Sequence, residues 1–366
     1  MKVMGVTIPG AFSGADDNLF SGLRSQGQLA GFVGGDLPRI HRGLFLLSTF
    51  SPNKQQWYHA WRTKMAKTPR AFRARTSVVE RQLVRRQGEF DIVLQVGGFF
   101  APYRAEFVKP VSLFCDYTTK LAERNYTPWF GVPAQDVSEW YEIETKLYRK
   151  SAMIFTASDN TRRSMISDYG VSPQRVQTIW EGVQYLPLPR ERLPTHPTIL
   201  MVGIDFQRKG GPTLLSAFDI VKNEIPEAEL VIVGPAPQLP QAGVTWAGHV
   251  SDRRRAEQLF SQATVFAMPS ICEPFGLAII EAMSHALPVV GSTIDAMPEL
   301  VEEGTTGFLV NPGDVQTLAE RLIRLLRDPE LSIRMGQAGV SRVAEKFMWA
   351  QVVQRLSDGL VRILEG

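Results

Sequence analysis

Glu273-Pro274-Phe275-Gly276-Leu277-Ala278-Ile279-Ile280-Glu281-Ala282-Met283 directly follows a short apolar run, Val265–Met268, and a brief loop. The apolar run reads as a strand. Pro274 fixes φ and Gly276 permits a tight approach, so a helix is predicted to begin near Gly276. Backbone N–H groups at Gly276 and Leu277 then point outward from a helix N-terminus, a ready anion site suited to phosphate. Glu273 sits in the loop just before that helix and Glu281 eight residues later. With about 1.5 Å of rise per helical residue, roughly 8 Å separates the two positions. Two carboxylates so spaced can hold sugar hydroxyls on either side of a diphosphate. The plainer alternative is that both glutamates favour the early helix through its dipole.

Working outward, short apolar runs alternate with longer amphipathic segments. Strands are predicted at Val3–Ile8, Leu44–Thr49, Ile92–Val96, Ser112–Cys115 and Met153–Thr156, with helical patterns such as Asn18–Leu29 and Val137–Lys150 between them. The rhythm repeats with strands at Thr198–Val202, Glu229–Val233, Val265–Met268, Leu287–Gly291 and Gly307–Val310, and helices at Gly211–Asn223, Arg254–Ser261 and Val315–Arg327. Such alternation implies α/β architecture with parallel sheets and helices on both faces. Between the two series, Tyr185 to Pro197 holds four prolines in thirteen residues and reads as a linker. The expected layout is an N-terminal Rossmann-like domain over 1–187, completed by a last helix over 349–366, and a C-terminal Rossmann-like domain over 188–348. In open parallel sheets ligands bind beyond the carboxyl ends of the strands, so the two doubly wound domains are expected to face one another across a cleft.

The length of 366 residues fits two domains better than one. At 44% hydrophobic and 21% charged residues the composition is that of a globular protein, which excludes a disordered or fibrous chain. Mean hydropathy is −0.08, and no uncharged apolar run reaches the roughly 18 residues a membrane span needs. Met1–Ala11 reads as a first strand and not as a secretion signal. The two cysteines, Cys115 and Cys272, lie in apolar surroundings without metal-type spacing, so a reducing cytoplasm is the expected compartment. No structural zinc pattern is present among five histidines. The net charge of +3 hides a basic run: Arg62–Arg86 carries nine basic residues and one acidic one, Glu80. With Trp61 and Phe72 nearby, that run suits an anionic membrane surface, an anionic acceptor such as a lipid diphosphate, or a plain solvated face. No nucleic-acid recognition module is visible.

Glu273 to Glu281 within EPFGLAIIEAM resembles the E-x7-E signature of the retaining glycosyltransferases of family four, which have the GT-B fold. Leu287-Pro288-Val289-Val290, Pro298-Glu299, the Gly304–Gly307 turn, Phe308-Leu309-Val310 and Pro312-Gly313-Asp314 continue the pattern. Upstream, Val202-Gly203 with Arg208-Lys209-Gly210 resembles that family's phosphate-binding strand and loop. Thr156-Ala157-Ser158 and Glu181-Gly182-Val183 resemble the end of its first domain, and Phe347-Met348-Trp349 the turn before a last helix that crosses back to the N-terminal domain. The resemblance covers about residues 150–350 well and the first 110 residues by rhythm.

The resemblance implies roles. Glu273 contacts the donor sugar, backbone N–H groups of Phe275, Gly276 and Leu277 hold sugar and phosphate, Glu281 accepts from the ribose, and Arg208 and Lys209 neutralise the diphosphate. The last role has its own logic, because the leaving group gains charge as the glycosidic bond breaks and fixed cations stabilise it. Asp116, beyond a strand, stands where the family commonly has a histidine, and can hold a sugar or acceptor hydroxyl, act as a base, or merely cap a helix. His249 and Val250 lie where the nucleobase is expected, and Gly14 ends a loop after the first strand able to approach a phosphate or acceptor. Departures are Ala286 for a glycine before Leu287, Ile204 for an arginine after Gly203, and no glycine-rich turn near Asp295-Ala296-Met297.

No Asp-x-Asp occurs in the chain, which fits a metal-independent enzyme. The expectation is a retaining hexosyltransferase of the cytoplasm, needing no cofactor beyond a nucleotide diphosphate sugar donor. Its acceptor would be a glycan, polysaccharide or lipid-linked hydroxyl, and its peripheral membrane contact would run through Arg62–Arg86. The rivals are a nucleotide-sugar epimerase on the same fold and a non-catalytic nucleotide-sugar-binding subunit.

Overall fold

The structure, a computed structural model, describes residues 1–8, 14–37, 40, 42–43, 67–103, 107–187, 196–235, 237 and 240–365. The expected strand Leu44–Thr49, the loop before Gly14, residues 62–66 of the basic run and 188–195 of the linker lie outside the described residues. The chain divides into two compact units, Met1–Trp180 with Val352–Gly366, and Glu181–Gln351.

The first unit is built on a parallel sheet of β1 (Val3–Thr7), β2 (Leu29–Gly34), β3 (Ile92–Val96), β4 (Val111–Cys115), β5 (Ile154–Thr156) and β6 (Val176–Thr178), in the order β2-β1-β3-β4-β5-β6. Every residue of β3 and β4 is buried. Both faces of a parallel sheet are covered by helices, so these strands read as continuous apolar runs without alternation. Gln95 is tolerated inside because its amide donates to the Gly97 and Phe100 carbonyls, both at 2.8 Å, which also fixes the chain leaving β3.

Two segments differ from expectation. The helix expected over Asn18–Leu29 runs Ala15–Ser25. Gly27 at φ 69° then turns the chain into β2, an edge strand whose glycines hide its pattern. The basic run forms the helix Pro69–Arg86, started by Thr68, whose hydroxyl accepts from the Ala71 N–H at 3.3 Å, with Pro69 in the first turn. Its inward stripe is Phe72, Arg75, Val79 and Leu83. Arg75 is buried, Arg73 pairs with Glu139 and Arg86 with Glu89, while Arg70, Arg73, Arg81 and Arg85 are exposed.

The second unit carries β7 (Thr198–Val202), β8 (Glu229–Val233), β9 (Val244–Gly248), β10 (Val265–Met268), β11 (Val289–Ser292) and β12 (Gly307–Val310), all parallel, ordered β12-β11-β10-β7-β8-β9. Read from β9, and numbered within the unit, this is the 3-2-1-4-5-6 order of a dinucleotide-binding sheet, with the reversal of strand order between β7 and β10. β9 is a half-exposed edge strand where the sequence suggests a loop at Ala247-Gly248. The strand expected at Leu287–Gly291 starts two residues later, at Val289, because the turn before it is helical in origin. The last helix, Trp349–Glu365, belongs to the first unit from Val352 onward. Val352, Val353, Leu356 and Leu360 form its buried stripe, and Arg355 donates to the Ile179 carbonyl at 3.0 Å.

Candidate functional site

In the second unit the loops after β7 and β10 flank the point where strand order reverses, where such a sheet opens a crevice. After β7 the chain makes a turn over Asp205–Gly210, held by the Asp205 carboxylate accepting the Arg208 N–H at 3.1 Å and by its carbonyl accepting the Lys209 N–H at 2.9 Å. After β10 the chain runs through Pro269 to Gly276. The two loops touch: the Ile271 N–H donates to the Arg208 carbonyl at 2.9 Å. Gly210, at φ 78°, lets them approach, since a Cβ there would lie 2.0 Å from the Pro269 carbonyl oxygen.

This approach brings Arg208, Lys209 and Glu273 together. Lys209 Nζ lies 2.5 Å and Arg208 Nη1 3.3 Å from the same oxygen, Glu273 Oε2. Arg208 Nη1 also donates to the Cys272 carbonyl at 2.6 Å. All three side chains are under a tenth exposed. Asp205, about a third exposed, lies 3.5 Å from Arg208 Nε and balances part of its charge. Two cations against one buried carboxylate is an arrangement that a further anion would complete.

The helix following Glu273 runs Leu277–Ser284 with Gly276 as its N-cap at φ 110°, a conformation open to glycine and costly for other residues. No side chain caps this N-terminus, so its first N–H groups face outward. Phe275 is a residue whose ring belongs to the core, edge-to-face with Phe347 at 6.2 Å, so only its backbone is available to a ligand. Glu281 lies about 6 Å along the axis from Leu277. Solvent reaches it, yet the mass of the unit around it raises its carboxyl above the ordinary value, with Arg253 pulling the other way. His249 is exposed and Val250 half-buried, just past the end of β9.

Two departures from the expected sequence pattern have a structural answer. Ala286 stands at φ 55° and Asp295 at φ 49°, so each adopts the left-handed conformation a glycine would take freely. Ala286 closes the helix Leu277–Ser284: Leu287 N–H reaches the Ala282 carbonyl at 3.1 Å and Ala286 N–H that of Met283 at 3.0 Å, a Schellman motif. Asp295 uses its side chain as well, accepting the Glu273 N–H at 2.9 Å.

In the first unit, Asp116 directly follows β4, beside the Gly97-Gly98 turn that follows β3. It lines a cavity of about 190 Å³ with Lys67, Phe99, Trp129, Trp140 and Glu144. Burial pushes the Asp116 carboxyl up, against its hydrogen bond from the Tyr117 N–H at 2.9 Å and the charge of Lys67. Gly14 caps the helix Ala15–Ser25 at φ 84°, and the first turn of that helix carries Asp16 and Asp17, which already complement its dipole.

Sequence reasoning did not place Asp205, Asp295 or Ser270, whose hydroxyl lies 3.5 Å from Glu273 Oε2, at the Glu273 cluster, or Lys67, Trp129 and Glu144 around Asp116. Asp205 carried a signal, an aspartate three residues before Arg208 in a turn. The others come together only through long-range packing. Among the described residues no group of three or more His, Cys, Asp or Glu is arranged to hold a metal ion. Among those residues no helix is long and apolar enough to cross a membrane.

Residues 196–328 match the family described as glycosyl transferases group 1. The MMP α-(1→4)-mannosyltransferase of Mycolicibacterium hassiacum is 30% identical over 309 residues, covering 78% of this chain and 72% of that protein. The α-maltose-1-phosphate synthase of Mycolicibacterium smegmatis is 28% identical over 255 residues, 60% of this chain, and the match spans 65% of its own length. Among solved structures, sucrose-phosphate synthase of Thermosynechococcus elongatus superposes with a TM-score of 0.74 at 18% identity, covering 100% of this chain and 99% of that one. HepE of Anabaena, solved in complex with UDP, superposes with a TM-score of 0.69 at 16% identity, over 99% of this chain and 100% of its own. These two structures share the GT-B fold with this chain.

Proposed function

Because this chain belongs to the group 1 glycosyltransferases, we propose that it moves a hexose from a nucleotide diphosphate sugar to a hydroxyl acceptor, with retention at the anomeric carbon and without a metal ion. The observation that carries this reading is the convergence of Arg208, Lys209 and Glu273 beside the uncapped helix N-terminus at Gly276. The bond from the anomeric carbon to the diphosphate oxygen breaks with its electron pair going to the diphosphate, and the acceptor oxygen takes its place, its hydroxyl proton passing to the departing diphosphate once the bond is broken. Charge then grows on the diphosphate. Arg208, Lys209 and the N–H groups of Gly276 and Leu277 supply fixed positive potential where it grows, which lowers the barrier without reorganisation. In this reading the two side-chain cations do the work that a divalent ion does elsewhere.

Glu273 is anchored through one oxygen by its two cations, and its second oxygen accepts from donor sugar hydroxyls. Glu281 accepts from the ribose, and the backbone around His249 and Val250 meets the base. Asp116, on the first unit, is assigned to a sugar or acceptor hydroxyl. A fold relative solved with UDP supports a nucleotide donor.

Thermal unfolding with UDP, GDP and ADP and their hexose conjugates, with and without EDTA, tests the reading. A ligand at about 100 times its Kd that binds only the native state adds roughly 2.7 kcal/mol. The expected result is a shift with one nucleotide family, indifferent to EDTA and reduced in Glu281→Ala. No shift with any nucleotide overturns the donor site, and a shift abolished by EDTA overturns metal independence.

A further inference from the structure

Asp205 carries a carboxylate that its local role does not require. It opens the turn after β7: its Oδ1 accepts the Arg208 N–H at 3.1 Å and its carbonyl accepts the Lys209 N–H at 2.9 Å. Asparagine or serine closes such a turn as well, because a neutral side-chain oxygen accepts the same N–H. Beside a site for a diphosphate an acidic side chain is also the wrong sign for the ligand, so its presence needs a second reason. The way the two cations are countered gives one. Among the described residues Lys209 pairs with Glu273 alone. Arg208 meets two acidic side chains, Glu273 at 3.3 Å from Nη1 and Asp205 at 3.5 Å from Nε, and its Nη1 also donates to the Cys272 carbonyl at 2.6 Å. The planar guanidinium is thus gripped from two edges. The two acids differ in access: the Glu273 side chain is 7% exposed and that of Asp205 35%. Glu273 is the buried anchor, and Asp205 is the partner on the solvent side.

We propose that Asp205 is a positioning residue of the donor site, holding Arg208 in place before the nucleotide arrives and sharing its charge with the diphosphate afterwards, so that the sugar-free nucleoside diphosphate is held less tightly and leaves. The proposal rests on the transferase reading above and adds to it how the site lets its product go. The holding part follows from the contacts: a long side chain already fixed in the empty site gives up less freedom when a ligand binds. The sharing part follows from sign. After transfer the leaving group carries more negative charge than it did in the donor. A site lined only with cations and backbone N–H groups would then bind the product better than the substrate. An acidic side chain 3.5 Å from one of those cations subtracts from that attraction. Because Asp205 is a third exposed, solvent screens the subtraction, which is of the size of a partly exposed ion pair.

Calorimetric titration of the full chain with UDP, GDP and ADP tests this, on wild type, Asp205→Asn and Asp205→Ser, with thermal unfolding alongside. Both variants remove the acid and keep an oxygen for the turn, so Tm should stay within about 3 °C of wild type. The nucleoside diphosphate that binds wild type should bind both variants about two- to fivefold more tightly at low salt. That gain should narrow in about 0.5 M salt, where the Debye length is well under 10 Å. A purely structural Asp205 would do the opposite, since a loosened turn displaces Arg208 and weakens binding. Affinity that is unchanged or weaker in the variants overturns the proposal, as does a gain that salt leaves intact. Loss of cooperative unfolding in both variants makes the residue structural and overturns it too. If no nucleoside diphosphate binds wild type, the donor reading falls and this proposal with it. If one binds and neither variant tightens it, the proposal alone falls.

Discussion

Glu273→Gln removes one negative charge while keeping the side chain's shape, and its effect can be worked from the cluster. Glu273 Oε2 meets Lys209 Nζ at 2.5 Å and Arg208 Nη1 at 3.3 Å, with side-chain exposures of 7%, 9% and 6% for the three. Breaking a buried pair by removing one partner costs about 3–5 kcal/mol, because a charge is left uncompensated. Glutamine still offers an accepting oxygen, and Asp205 at 3.5 Å still faces Arg208, so the lower end, about 3 kcal/mol, is expected. In a unit of this size each kcal/mol moves Tm by about 2–4 °C, giving a fall of roughly 6–12 °C. On the proposed donor site, a nucleoside diphosphate without sugar should recover part of that fall, since its phosphates would supply the missing negative charge and the variant would lack only a sugar contact. The assay is thermal unfolding of wild type and variant, each with and without the nucleotide that stabilises the wild type. A variant within about 2 °C of wild type would show the cations to be solvated. A full loss with no greater nucleotide stabilisation than wild type would show that Arg208 and Lys209 do not face the diphosphate.

Other outcomes follow from single positions. Ala286→Gly should stabilise the chain by about 0.5–1 kcal/mol in urea unfolding. The left-handed residue at φ 55° costs about 1–2 kcal/mol, and the freer unfolded glycine returns about 0.4–1 kcal/mol. Gly210→Ala should do the reverse, since its Cβ would lie 2.0 Å from the Pro269 carbonyl. Strain of about 1–3 kcal/mol and a displaced Lys209 should lower both Tm and turnover. The Glu281 carboxyl, reached by solvent but with its pKa raised by the mass of the unit around it, favours the protonated form in the folded protein. That residue therefore subtracts stability above its folded pKa and stops doing so as pH falls through it. If Glu281 accepts from the ribose as proposed, the ionised form is the one that binds, so nucleotide affinity should weaken as pH drops toward that raised value, and Glu281→Gln should flatten the profile in calorimetric titrations.

Most of the second unit was legible because its strands are buried on both faces. Thr198–Val202, Glu229–Val233, Val265–Met268 and Gly307–Val310 are continuous apolar runs and occur as strands with the bounds read from sequence. Two edge strands escape that logic: Leu29–Gly34 carries glycines, and Val244–Gly248 is half exposed, so neither shows a run, whereas the edge strand Gly307–Val310 is largely buried and does. The helix Pro69–Arg86 is masked by its own charges, and only Phe72, Val79 and Leu83 mark its inner stripe. At the candidate site, Glu273, Arg208 and Lys209 each sit in a local motif beyond a strand, which sequence exposes. Their mutual contact does not appear there, because it depends on the order of β7 and β10 in the sheet. Asp295 and Ala286 were read as missing glycines, whereas both hold the glycine conformation, and Asp295 adds a hydrogen bond glycine lacks. The cavity of the first unit was least legible, since Lys67, Asp116 and Glu144 come from separate segments with no spacing to connect them.

The most direct test of the transferase account is proton NMR of the reaction itself. Each candidate nucleotide hexose is incubated with the protein and a panel of hydroxyl acceptors, with EDTA present. The account predicts release of nucleoside diphosphate that depends on acceptor, a glycoside with the donor's own anomeric configuration, and loss of both in Lys209→Ala. A product of inverted configuration, or an activity that vanishes with EDTA, would contradict it.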